Sequence, residues 1–133
     1  MKKVLVFGAF DILHPGHMFL FEQARKHGDY LAVVVGRDKT IEEVKGMRPK
    51  HDENERLRNV QELELVDEAR LGNPGDKYRV IEDIGPDVIC LGYDQDHFAS
   101  RLPEELKKRR LDIKIVRIEA FKPERYKSSK LRD

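Results

Sequence analysis

The stretch that decides the fold begins near the start of the chain, where residues 4–17 read VLVFGAFDILHPGH. An uninterrupted apolar run, Val4–Phe7, ends at a glycine, and Pro15 suits the first turn of a helix. Two histidines, His14 and His17, lie three residues apart at that helix start. The segment therefore predicts a buried strand, a glycine-containing loop and a helix whose first turn carries two imidazoles.

Strands and helices alternate along the rest of the chain, and Glu68–Leu71 is the weakest of the strands. The expected strands after Val4–Phe7 are Leu31–Val35, Glu68–Leu71, Val88–Leu91 and Ile113–Ile118. The expected helices are Pro15–His27, closed by a left-handed Gly28, then Lys39–Lys45, Asn54–Leu65, Tyr78–Ile84 and Glu104–Arg110. Continuous rather than alternating apolar strands are typical of a parallel sheet covered on both faces. We therefore expect a single α/β domain over residues 1–133, a Rossmann-like three-layer sandwich with a mostly parallel five-stranded sheet.

Composition narrows the classes of function. The 26 basic and 25 acidic residues nearly cancel, whereas a general nucleic-acid binder usually carries a clear basic excess. The single cysteine excludes an intrachain disulfide and fits a reducing compartment. No stretch reaches the roughly 18 apolar residues of a membrane span. We expect a cytoplasmic protein that binds neither nucleic acid nor membrane and owes any phosphate chemistry to a local site.

A phosphate site is predicted where the first strand meets the first helix. Ligands of parallel sheets bind beyond the carboxyl ends of strands, where Gly8–His17, Gly36–Asp38 and Gly92–Gln95 all fall. Glycine lets the backbone approach a ligand, and a helix start offers unpaired N–H groups to an anion. Two imidazoles facing one phosphoryl group would stabilise the charge that develops during transfer. Taken alone, His-x-Gly-His also fits a polar turn or a pair of metal ligands.

The whole segment resembles the signature G-x-F-D-x-x-H-x-G-H of the cytidylyltransferase-like nucleotidyltransferases. The fixed positions are occupied by Gly8, Phe10, Asp11, His14, Gly16 and His17, and Ala9 replaces the commonest residue, threonine. The resemblance extends over nearly the whole chain. It implies that His14 and His17 are catalytic, bind the phosphates of a nucleoside triphosphate and stabilise the pentacoordinate α-phosphorus without a covalent enzyme intermediate. It also implies that Ala9 and Phe10 bind nucleotide and that Asp11 binds substrate.

The family normally works with a divalent cation, usually magnesium. No carboxylate cluster in this sequence has the character of a dedicated metal cage. We therefore expect Mg²⁺ to be held mainly by the substrate phosphates, with no protein residue assigned as a metal ligand.

Basic residues further along match family positions that bind phosphate. Lys45 and Arg48 lie in a glycine-containing loop, and the resemblance implies a catalytic role for Lys45 and substrate binding by Arg48. Arg56 matches a helix arginine that helps to bind nucleotide. A solvated loop and surface charge pairing are the respective alternatives.

The remaining candidates follow later strands or close the chain. Asp38 and Tyr93 are expected to contact the acceptor substrate, and Asp94 the nucleotide; a loop cap is the alternative role of both carboxylates. Ser128 and Ser129 map to a terminal turn that binds the distal phosphates in the family.

The signature leaves several reactions open. The archaeal FAD synthase branch, which transfers AMP from ATP to FMN, is the one that this sequence resembles most. The resemblance lies in Gly36-Arg37-Asp38 with the following Lys45-Gly46, in Leu91–Gln95 and in the closing Ser128-Ser129. The glycerol-phosphate branch, which uses CTP, usually carries a tryptophan that this sequence lacks. A third branch adenylates phosphopantetheine or nicotinamide mononucleotide. Outside catalysis, the chain could be a nucleotide-binding module without turnover or a protein that binds metal through its histidines. Members of the family often form homodimers.

Overall fold

The computed structural model describes residues 1–76, 78–92 and 100–119. Its strands are β1 (Lys3–Gly8), β2 (Tyr30–Val35), β3 (Glu68–Leu71), β4 (Val88–Leu91) and β5 (Lys114–Arg117). Its helices over the same residues are α1 (Pro15–Arg25), α2 (Asp38–Lys45), α3 (Glu53–Gln61), α4 (Arg79–Ile84) and α5 (Leu102–Lys108).

The five strands form one sheet in the order β3-β2-β1-β4-β5, and every neighbouring pair is parallel. Val6 at the centre of β1 pairs with Val33 on one side and Cys90 on the other. The predicted α/β class and five-stranded sheet are confirmed.

Helices cover both faces of the sheet. Alternate residues of the central strands point to opposite sides, so each strand supplies side chains to two separate cores. One core joins the strands to α1 and α3 through Phe19, Phe21, Ala24 and Val60. The other joins them to α4 and α5 through Val80, Ile81, Ile84, Leu102 and Leu106. This double cover is why the central strands β1, β2 and β4 are apolar over most of their length, and it gives the predicted three layers.

The predicted bounds of two helices are wrong. The helix α3 ends at Gln61 rather than Leu65, because residues 62–66 continue in turns closed by Leu63 N–H to Val60 C=O and Val66 N–H to Leu63 C=O. These turns still pack leucines against the core. The helix α5 begins at Leu102 and ends at Lys108, two residues earlier at each end than predicted.

The predicted left-handed cap at Gly28 is also wrong. The helix α1 ends at Arg25, and Gly46 and Gly85 are the glycines with positive φ among the described residues. Gly28 instead lies against β1: a Cβ there would come within 2.5 Å of the Lys2 carbonyl oxygen. The glycine therefore permits close packing of the chain, not a left-handed turn.

The strand order reverses between β1 and β4. The chain leaves β1 for its neighbour β2, whereas β4 lies on the other side of β1. Ligands of such sheets bind in the crevice at this reversal, outside the carboxyl ends of the strands. The segment that follows Gly8 lies at this position. Within the described part of the chain, no helix has the length and apolar character needed to cross a membrane.

Candidate active site

The loop after β1 is shaped by Phe10. Its ring is 3% exposed and lies so close to Gly8 that a Cβ at Gly8 would come within 2.7 Å of the ring atom Cε2. The backbone of Phe10 is left-handed, with φ of 52°, which is rare for a bulky residue. The ring also meets the imidazole of His17 edge-on, with centroids 5.2 Å apart. The glycine and phenylalanine of the signature thus form one packing unit that turns the chain towards α1.

The two histidines cap the start of α1. His14 is the residue before the first helical position, and its Nδ1 accepts a hydrogen bond from Gly16 N–H at 3.1 Å. His17 Nδ1 accepts in return from His14 N–H at 3.3 Å. This is the reciprocal pattern of a capping box, with imidazoles in place of the usual hydroxyl and carboxylate.

The capping bonds determine where each imidazole carries its proton. A ring nitrogen that accepts a hydrogen bond carries no hydrogen, so the neutral ring carries its proton on Nε2. The two rings stack with centroids 3.8 Å apart and planes 28° from parallel. The helix start therefore holds two imidazoles side by side, and each ring, when neutral, has its Nε2–H donor on the edge remote from its capping bond.

The charges around this helix start favour an anion. The first turn of α1 contains no acidic residue, whereas the first turns of α2 and α3 contain Asp38, Glu53 and Glu55. The positive end of the α1 dipole is therefore not neutralised by its own helix. A phosphate is the kind of group that such a helix start binds.

Asp11 joins the first loop to the segment before α3. Its carboxylate accepts hydrogen bonds from Lys50 N–H at 2.7 Å and His51 N–H at 2.9 Å. Desolvation by itself raises the pKa of Asp11, but these two bonds, with the nearby His51 and Arg56, outweigh it and lower the pKa. Asp11, predicted to bind substrate, is thus an ionised anchor between two loops.

Arg56, predicted to bind nucleotide, lies inside the protein and is 0% exposed. Its guanidinium donates to the carbonyls of His51, Ala9 and Gly36 and to the carboxylate of Asp38. Asp38, predicted to bind the acceptor, is held by this bond at 2.7 Å and also accepts from Glu53 N–H at 3.2 Å. The spacing of Arg56 in the sequence could have indicated that it is buried, because Arg56 and the buried Val60 are four residues apart and share one helix face.

Lys45 and Arg48 are exposed at the end of α2. Lys45 is the last helical residue, and the left-handed Gly46 caps the helix with its N–H on Glu42 C=O. Arg48 lies 3.6 Å from the carboxylate of Glu42. The segment then runs to Lys50 and His51, which Asp11 binds. The structure thus connects both basic residues to the first loop through the chain segment that Asp11 binds.

Four predicted site residues, Tyr93, Asp94, Ser128 and Ser129, lie outside the described residues. Among residues 1–76, 78–92 and 100–119, no group of three or more histidine, cysteine or acidic side chains could hold a metal ion. Cys90 is buried in β4, and burial raises the pKa of its thiol to about 11, so it is a packing residue rather than a nucleophile.

Comparison with protein families matches residues 5–133 to the model described as cytidylyltransferase-like. The chain belongs to this family. Its relatives include a FAD synthase of Methanobrevibacter ruminantium, which is 46% identical over 90% of this chain and 81% of the relative. A FAD synthase of Ferroglobus placidus is 48% identical over 90% of this chain and 78% of the relative. A FAD synthase of Thermoplasma volcanium is 41% identical over 99% of this chain and 92% of its own length.

Solved structures agree on the fold. A Thermoplasma volcanium protein described as a lipopolysaccharide core biosynthesis protein is 42% identical, with a TM-score of 0.86 over 92% of this chain and 99% of that one. A pantoate-beta-alanine ligase from Francisella tularensis is 12% identical, with a TM-score of 0.61 over 91% of this chain and 60% of the ligase chain. This likeness shows a common fold and nothing more. The predicted nucleotidyltransferase family, and the predicted resemblance to archaeal FAD synthases, are confirmed.

Proposed function

We propose that this protein is an FMN adenylyltransferase, which transfers AMP from ATP to FMN and releases pyrophosphate. The observation that carries the proposal is the pair of stacked imidazoles, each bonded through Nδ1, at a helix start whose first turn has no acidic residue. The choice of ATP and FMN is supported by relatives named FAD synthase that are 46% and 48% identical over 90% of this chain.

The reaction needs charge stabilisation more than proton transfer. A phosphate oxygen of FMN forms a bond to the α-phosphorus of ATP, and the bond from that phosphorus to the bridging oxygen of pyrophosphate breaks. The attacking phosphate is already ionised, so no strong general base is required. Negative charge accumulates on the α-phosphoryl oxygens and on the leaving pyrophosphate.

His14 and His17 would donate their Nε2–H groups to these oxygens. Because each Nδ1 is engaged by a backbone N–H, the donors are fixed before substrate binds, and little reorganisation is needed in the transition state. The unneutralised start of α1 adds a favourable dipole.

Nucleotidyltransferases of this kind typically use a divalent cation, which neutralises charge on the triphosphate when bound. The described residues offer no carboxylate cluster that fits a resident metal. We infer that Mg²⁺ enters with the substrate phosphates and that Lys45 and Arg48 bind phosphate at the edge of the site.

The geometry refines the roles of the other predicted residues. The Phe10 ring is buried, so Phe10 would contact nucleotide through its backbone, and Ala9 through its backbone N–H, because its carbonyl is bound by Arg56. Three further points stay predictions: a homodimer, a location in the cytoplasm, and the binding roles of Tyr93, Asp94, Ser128 and Ser129.

A direct assay tests the proposal. Purified protein with Mg²⁺ is incubated with FMN and either ATP or CTP, and in parallel with CTP and glycerol phosphate, and FAD and CDP-glycerol are measured by chromatography. We expect FAD from ATP and FMN, and at least a hundredfold less from His17→Ala. CDP-glycerol formed from CTP and glycerol phosphate, with no FAD, would support the cytidylyltransferase alternative. Binding of ATP without any turnover would indicate a nucleotide-binding module.

A further inference from the structure

Arg56 is a fully buried charged residue. Among the described residues no other charged side chain is fully buried, and Arg56 is 0% exposed. Four of its five N–H donors are used: Nε on His51 C=O at 2.9 Å, both Nη1 hydrogens on Ala9 and Gly36 C=O at 2.8 Å, and one Nη2 hydrogen on Asp38 Oδ1 at 2.7 Å. A direct contact with nucleotide would require the guanidinium to leave these partners.

The carbonyls that Arg56 binds belong to the chain around the candidate site. Gly36 follows β2, and His51 is one of the two residues whose N–H groups bind Asp11. The Ala9 carbonyl belongs to the peptide between Ala9 and Phe10, immediately before the left-handed φ of Phe10. Arg56 therefore holds the peptide whose orientation determines where the Phe10 ring lies.

The Phe10 ring connects this peptide to the catalytic imidazoles. It packs between Gly8 and Phe21 and meets the His17 ring edge-on at 5.2 Å and 76°. His17 in turn stacks on His14. A continuous path of contacts runs from the Arg56 guanidinium through the Ala9–Phe10 peptide and the Phe10 ring to both imidazoles.

An arginine is required by this geometry. A left-handed phenylalanine is strained, and such strain persists only where the surrounding structure enforces it. A planar guanidinium can reach carbonyls on several sides at once, whereas lysine offers three donors from a single nitrogen. Asp38 sets the orientation of the guanidinium, and Glu53 N–H fixes Asp38 at the start of α3.

We propose that Arg56, oriented by Asp38, is a positioning residue that sets the His17 imidazole through the Ala9–Phe10 peptide and does not itself bind nucleotide. The inference rests on the proposed function only in that His17 is taken to act on the triphosphate.

The first test is kinetic, with Arg56→Lys and Asp38→Asn. We expect kcat to fall at least tenfold in each variant, with KM for ATP changing by less than about threefold. The reason is that each substitution disturbs only the alignment of the imidazole donor with the transition state. Two controls are matched. Arg58→Lys changes an exposed arginine of the same helix, and Arg25→Lys disturbs the Arg25–Asp67 ion pair. Both should retain wild-type kcat.

The second test uses NMR to monitor the His17 imidazole in the absence of substrate. In ¹⁵N-labelled protein, the Nδ1 and Nε2 resonances of His17 should move in Arg56→Lys and Asp38→Asn and stay at their wild-type positions in both controls. This measurement does not depend on which acceptor the enzyme uses. The proposed function could therefore fail in the assay for FAD while this inference still holds.

The third test uses Phe10→Leu, which removes the ring between Arg56 and His17. If both residues act along one path, Phe10→Leu with Arg56→Lys should lower kcat by much less than the product of the two single effects. Multiplying effects would overturn the proposal.

Two other results would also overturn it. A tenfold rise in KM for ATP with unchanged kcat would make Arg56 a nucleotide ligand. Unmoved His17 resonances, with loss of kcat that merely follows loss of Tm, would make it a structural residue only. If Arg56→Lys does not fold, Asp38→Asn still decides, because it must move the His17 resonances.

Discussion

Replacing His14 by asparagine should separate the two tasks that the structure gives this residue. His14 caps α1 through Nδ1, which accepts from Gly16 N–H, and presents Nε2–H to substrate phosphate in the proposed reaction. Asparagine is among the best residues at this capping position, and its Oδ1 can accept the same N–H. It has no counterpart of Nε2. His14→Asn should therefore keep the cap and lose the donor, whereas His14→Ala loses both.

The two losses differ in size and in the quantity they change. Removing one preorganised donor costs about 10²–10³ in kcat, or about 2.7–4 kcal/mol in the transition state. Removing a helix cap costs about 1 kcal/mol of folding free energy, which in a protein of this size lowers Tm by roughly 3–6 °C. We expect both variants to lose 10²–10³ in kcat, and only His14→Ala to lose several degrees in Tm.

The assay measures FAD formation at saturating ATP and FMN, with Tm by calorimetry on the same samples. A His14→Asn enzyme within threefold of wild-type kcat would refute the donor role of Nε2. An equal fall in Tm for both variants would refute the cap.

Three further predictions follow from particular contacts. Gly8→Ala should lower kcat more than tenfold and cost about 1–3 kcal/mol of stability, because the added Cβ would overlap the Phe10 ring. Gly75→Ala, whose Cβ would have no atom within 4 Å, should leave kcat and Tm unchanged when the two variants are compared by activity assay and thermal melting. Lys45→Ala should raise KM for ATP more than it lowers kcat, and the charge-matched Lys107→Ala should alter neither; an equal loss in kcat and kcat/KM for Lys45→Ala would contradict a binding role. Because the pKa of Asp11 is lowered from its ordinary 3.8, its ionised form stabilises the fold above that pH, and the contribution is lost as pH falls through the lower folded value. The free energy of unfolding should therefore decline between about pH 5 and pH 3 less steeply in Asp11→Asn than in the wild type, and identical slopes would exclude Asp11 as the responsible group.

The sequence by itself determined the features that depend on neighbours along the chain. The strand β1, the loop and the start of α1 were predictable because an apolar run, a glycine and a proline act locally, and the two imidazoles lie on the same first turn. The parallel sheet was predictable because strands buried on both faces are apolar throughout. The signature of Gly8–His17 then indicated the family.

Only the tertiary structure decided which partners Arg56, Asp38 and Asp11 bond to. Arg56 binds a carbonyl 47 residues away, and Asp11 binds N–H groups 39 and 40 residues away. No periodicity or propensity encodes such partners, because they meet only after β1, β2 and α3 have come together. From sequence alone, a charged residue in a helix near a phosphate site is naturally interpreted as a ligand. Its burial, and the carbonyls that surround it, follow from the packing of distant segments.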